Sequence, residues 1–113
     1  MKKLLCIVSK PPFEGSVVIE QLEAAMVAAV FEMEVSVLFI DEGLRCLQPG
    51  QMGDRVGVRT PGKLIQGLDM YEIEHLYAGE EVSSMNIPVP TNIAILTASE
   101  QAELLSNQDI VVQ

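Results

Sequence analysis

Short apolar runs alternate along this chain with longer stretches whose apolar residues recur at helical spacing. The central run is Val35 to Ile40, which meets Asp41-Glu42-Gly43 and then a short amphipathic turn carrying Leu44, Cys46 and Leu47, stopped by Pro49-Gly50. A continuous apolar run ending in acid-Gly reads as a buried parallel strand. Lys3 to Ser9, Glu74 to Ala78, Ile93 to Leu96 and Asp109 to Val112 supply four more strands. Between them lie helical patterns. Val18, Leu22, Ala25, Ala29 and Met33 form one stripe on a helix that Ser16 caps and that runs to about Glu32, with Glu20 in its first turns. Glu42 to Leu47 predicts a short helix. Thr60 caps another, with Pro61 at its first position and Leu64, Ile65 and Leu68 on its apolar side, ending near Asp69. Glu80 to Met85 is a brief helix after Gly79. Ser99 caps the last one, over Ala102, Leu104 and Leu105.

Loops fall where the backbone chemistry demands them. Pro11-Pro12-Phe13-Glu14-Gly15 cannot continue a sheet ladder, Gln48 to Gly57 holds three glycines and a proline, and Pro88 and Pro90 rule out a central strand between them. The resulting β-α-β-α-β-α-β-α-β order predicts one α/β domain: a mostly parallel five-stranded sheet with helices on both faces. One feature exceeds what that fold needs. Val17, Ala24, Val27, Ala28 and Phe31 make much of the first helix's remaining surface apolar, which predicts burial against another chain.

Composition narrows the functional classes. The 113 residues are 49% apolar with a net charge of −9, enough for a core and unfavourable for gripping phosphates. All seven Lys and Arg lie between Lys2 and Lys63, while residues 64–113 carry only acids, including Glu72, Glu80, Glu81 and Asp109. No direct nucleic-acid binding is expected; the acidic half reads as a soluble surface or, more sharply, as a side that repels RNA or meets a basic partner. No apolar run approaches the roughly 20 residues that span a bilayer, and Leu4 to Val8 is too short for a signal peptide, so a cytoplasmic protein is expected.

Candidate chemistry is sparse. Two cysteines, Cys6 and Cys46, form no zinc-like spacing, and one histidine, His75, has no nucleophile placed with it. PGQMGDRVG lacks the Lys-Ser/Thr of a P-loop, so no nucleotide, flavin or other cofactor is expected. Arg45, Arg55, Arg59 and Lys63 are the densest basic group and read as a solvated loop or an anion contact. Asp41, Glu42, Glu80 and Glu81 open helices and read as dipole partners rather than an acid–base pair. Cys6 reads as core. Cys46 is the one candidate thiol: Arg45 would lower its pKa, and Asp41 and Glu42 would oppose that.

KKLLCIVSKPPFEGS, EVSVLFIDEGLRCLQPGQ, LDMYEIEHLYAGEEV and NQDIVVQ, in this order, resemble the DsrE/DsrF/DsrH superfamily in its DsrF-like branch, over nearly the whole chain. The resemblance implies a flavodoxin-like fold and a place in a hetero-oligomer with DsrE-like and DsrH-like sister subunits. Such complexes pass persulfide sulfur toward tRNA wobble 2-thiouridine or through intracellular sulfur oxidation. In the DsrE-like sisters the sulfur-carrying cysteine follows the third strand; here Ala78 or Gly79 stands at that position, followed by Glu80-Glu81. The resemblance therefore implies a non-catalytic, structural subunit with no catalytic residue of its own. The rivals are a stand-alone sulfurtransferase using Cys46 and a homo-oligomeric binding module without a sulfur role.

Overall fold

Apolar residues occupy both odd and even positions of the central strands because both faces of the sheet are covered. The computed structural model describes residues 1–13, 15–48 and 61–113. Most of the loop after Gln48, the Thr60 cap, Arg55 and Arg59 lie outside them. Five strands, β1 (Lys3–Val8), β2 (Glu34–Phe39), β3 (His75–Gly79), β4 (Ile93–Leu96) and β5 (Ile110–Val112), pair in the order β4-β3-β2-β1-β5. Every pairing is parallel, as in β1 against β2, where Cys6 stands opposite Val37. The class is flavodoxin-like α/β, all parallel where the pattern predicted mostly parallel. In flavodoxin itself β3 lies beside β1; here it lies beside β2, and β5 takes the free side of β1.

This order decides which face each helix covers. The chain steps from β1 to β4 in one direction, so right-handed connections fall on one face. That face holds α1 (Val17–Val30), α2 (Pro61–Gln66) and two 3₁₀ segments, Asp41–Leu47 and Leu68–Tyr71. Their apolar side chains join Leu4, Cys6, Val8, Val37, Phe39, Leu76 and Ala78 in the main core. The return from β4 to β5 runs the other way, which places α3 (Ala98–Ser106) on the opposite face. There Leu104 packs, half-buried, against Leu5, Ile7, Leu38 and Tyr77. No residue of α3 is fully buried, so this second layer is thin.

Local chemistry corrects several predicted boundaries. Ser16 occupies the N-cap position of α1, yet its hydroxyl donates to Glu20 Oε1 at 2.8 Å and caps no backbone N–H. The helix ends at Val30, two residues before the predicted Glu32. Glu32 sits in the left-handed region (φ 64°). Its N–H donates to Ala29 O and that of Met33 to Ala28 O, the paired bonds of a Schellman cap without its usual glycine. The second helix stops at Gln66 and resumes as the Leu68–Tyr71 segment. The segments after β2 and β3 are 3₁₀, not α.

The cap of α3 is Thr97 rather than Ser99. Glu100 N–H donates to Thr97 Oγ1 and Thr97 N–H to Glu100 Oε1, which completes a capping box. Thr97-x-x-Glu100 was the legible signal. Thr97→Ala is expected to destabilise the protein by about 1 kcal/mol, with faster hydrogen exchange confined to α3; uniform exchange across the sheet would contradict this local role.

Candidate functional site

The carboxyl ends of the strands converge on the loops where such sheets bind their ligands. At β2 the chain turns through Asp41 (φ 51°) into the Asp41–Leu47 segment. At β3 it passes through Gly79 into the 3₁₀ segment Glu80–Met85. The two ends are joined: Asp41 N–H donates to Glu81 Oε1 at 3.2 Å. The Glu81 carboxylate folds back over Gly79, where an added Cβ would meet both its oxygens at 2.6 Å. Ala78 is fully buried in the main core. The position assigned to a sister-subunit thiol thus carries a methyl group facing the core and a hydrogen beneath a carboxylate. A thiol at residue 79 would form beside negative charge, which disfavours its anion.

Neither cysteine is presented to solvent. Cys46 lies on the inward side of its 3₁₀ segment, 2% exposed, with Sγ 3.9 Å from Lys10 O. Burial pushes its pKa up from 9.0 to about 12, partly offset by a backbone hydrogen bond. The expected contest between Arg45 and the neighbouring acids is not what decides this thiol. Arg45 is exposed and pairs with Glu42, while desolvation dominates at Cys46. Cys6 faces α1 with Sγ 3.8 Å from Gln21 O, and burial raises it to about 11.

The histidine stands apart from these strand ends. His75 opens β3, so it lies at the amino ends of the strands, away from Asp41 and Gly79. Its Nε2 is 3.7 Å from Glu34 Oε1, beside a hollow of about 180 Å³ that Lys3, Ser36, Tyr77 and Gln108 help to line. Lys63 is on α2 and Arg45 on the Asp41–Leu47 segment, against which α2 packs. Among the described residues, no three His, Cys, Asp or Glu side chains are grouped to hold a metal ion, and no helix is long and apolar enough to cross a membrane.

Part of the exposed apolar surface does gather on one helix. Val17, Ala24, Val27 and Phe31 are exposed on α1 and its C-cap at intervals of seven, three and four residues, which keeps them on one side of the helix. Ala28 is half-buried and packs on the main core instead. Val30 and Tyr71, outside the predicted stripe, extend this face, and Met70 stands exposed next to Tyr71 in the chain. Val27, Val30 and Tyr71 line one hollow with Glu23 and Met26. Met70 and Tyr71 escaped the sequence pattern because Leu68 and Ile73, not they, hold the buried positions around that turn.

Known proteins agree with this architecture. The crystal structure of the ychN protein from E. coli superimposes with a TM-score of 0.82 over 99% of this chain and 98% of its own, at 14% identity, and so shares the fold. The intracellular sulfur oxidation protein DsrF of Allochromatium vinosum is 28% identical over 81 residues, 72% of this chain and 60% of that protein. A TusC homolog from Pseudomonas aeruginosa is 30% identical over 76 residues, 67% of this chain and 64% of that protein. The matched region thus spans less than two thirds of either relative. Residues 2–113 match the DsrE/DsrF-like family as a whole, and the chain belongs to that family.

Proposed function

We propose that this chain is a non-catalytic structural subunit of a persulfide sulfur-relay complex, held to DsrE-like and DsrH-like sister subunits through the apolar face of α1. In such a relay a thiolate attacks the outer sulfur of a persulfide. A new S–S bond forms, the old one breaks, and the donor leaves as a thiolate with no net redox change. The carrier must therefore be ionised and reachable. The observation that carries the reading is that both thiols here are neither: each is buried, with its pKa raised to about 11 or about 12. A stand-alone sulfurtransferase using Cys46 has no such support. The name of the DsrF relative, an intracellular sulfur oxidation protein, supports sulfur handling as the setting. Intracellular sulfur oxidation and tRNA wobble 2-thiouridylation are the two pathways this setting offers.

The test is co-expression with the DsrE-like and DsrH-like proteins of the same genome, followed by native mass spectrometry and alkylation mapping of persulfides. A mixed complex is expected, with sulfane sulfur on a partner's cysteine and none on Cys6 or Cys46. A homo-oligomer that never exchanges with those proteins would overturn the subunit reading. Persulfide on Cys46 would overturn the non-catalytic one.

A further inference from the structure

We infer that the patch formed by the end of α1 and the Leu68–Tyr71 segment docks a protein that brings lysine or arginine side chains to its rim, and that it is not a self-association surface. The inference rests on the relay reading for the proteins used in its second test. Two hollows meet at Tyr71. One, of about 200 Å³, is lined by Glu23, Met26, Val27, Val30 and Tyr71. The other, of about 470 Å³, continues past Tyr71 to Glu32, Glu34, Glu72 and His75. Phe31 and Met70, 76% and 85% exposed, are the sequence neighbours of Val30 and Tyr71 and add exposed apolar surface beside them.

The rim identifies the partner. Glu32, Glu34 and Glu72 line the larger hollow and Glu23, which already has an interaction of its own, the smaller, whereas among the described residues no lysine or arginine lines either. Among the described residues the positive or titratable groups there are the Met1 terminus and His75, and His75 already faces Glu34. Apolar burial favours covering this patch. A second copy would bring the same carboxylates to the same seam, from a chain whose net charge is −9. Like charges facing each other at a drying interface oppose its closure. A partner with a basic rim turns that opposition into attraction and steers the encounter.

The first test uses the isolated chain in sedimentation velocity. At about 0.05 M salt it is expected to stay monomeric through this face. The double variant Glu32→Gln/Glu72→Gln, or about 1 M salt, should raise self-association at least ~10-fold, because both remove the rim repulsion. Adding Phe31→Ser should reverse the gain. A low-salt dimer that Phe31→Ser dissolves, or no Phe31-dependent gain on neutralising the rim, would overturn the inference.

The second test uses the co-expressed mixed complex. Phe31→Ser/Met70→Ser and Glu32→Lys/Glu72→Lys should each weaken assembly at least ~10-fold, and the second should also reverse the salt dependence of the association rate. These side chains are exposed, so the variants are expected to melt like the parent. A complex indifferent to both pairs sinks the docking surface and leaves the relay reading standing. If the parent forms no mixed complex, the relay reading falls, and the isolated chain's response alone decides the surface.

Discussion

Replacing Gly43 by alanine is expected to remove at least ~3 kcal/mol of stability, above the range of ordinary overpacking. Gly43 lies in the Asp41–Leu47 segment, pressed onto the end of β1. A Cβ built there would stand 1.9 Å from Val8 O and 2.5 Å from Val8 C. These are backbone atoms, and Val8 O already accepts from Ile40 N–H at 3.0 Å. No rotamer change relieves the clash. Either the strand end or the whole 3₁₀ segment must move, and with it the Asp41–Glu81 bond that joins β2 to β3. Gly67→Ala is the control. Its added methyl would meet nothing closer than 3.7 Å, and φ is −92°. That change is expected to be neutral or to stabilise by about 0.4–1 kcal/mol through the unfolded chain. Urea unfolding of the two variants measures both. A Gly43→Ala protein within about 1 kcal/mol of the parent would show that the segment does not seat on β1 as described.

Cys46 in the folded protein is expected to react with a disulfide reagent at least ~1,000-fold more slowly than the same thiol in denaturant. A pKa of about 12 against 9.0 cuts the thiolate population, and burial of the sulfur closes it to the reagent. A Cys6→Ser background isolates the reading. Labelling at the denatured rate would show Cys46 to be open and return it to candidacy as a sulfur carrier.

The same shifts fix a pH dependence. Below pH 9 both thiols are protonated in the folded and unfolded chain alike, so their contribution to stability is constant. Between 9.0 and about 11 to 12 the unfolded chain gives up protons that the folded one keeps. Stability must therefore fall as the pH rises through that window, by up to ~1.4 kcal/mol per unit for each thiol. Cys46→Ala should lose less than the parent between about pH 8 and about pH 10.5, whatever it loses in packing. Equal losses in the two proteins would remove Cys46 from the explanation.

Much of this was legible in the chain itself. The apolar runs placed all five strands, and β4 was predicted at its observed bounds, Ile93–Leu96. Continuous runs, unlike alternating ones, require cover on two faces, so a parallel sheet followed from residue order alone. The α1 stripe was readable because helical spacing separates the residues that meet the sheet from those that cannot. The Thr97–Glu100 box was equally local and was passed over for Ser99, which stands two residues along in the same T-A-S-E string.

Other features depended on contacts between distant segments, which only the tertiary structure decides. The sequence puts Arg45 beside Cys46. The fold turns the arginine outward to Glu42 and the thiol inward to Lys10 O, so desolvation overrides the charge next door. Gly43 reads as turn chemistry until β1, more than thirty residues earlier, is laid against it. Tyr71 belongs to the α1 face only because the Leu68–Tyr71 segment packs beside that helix. Periodicity reports what a residue does within its own element. Burial, pKa and surface continuity are set by whichever element arrives from elsewhere, and that information is carried by the pairing order β4-β3-β2-β1-β5 rather than by any single stretch.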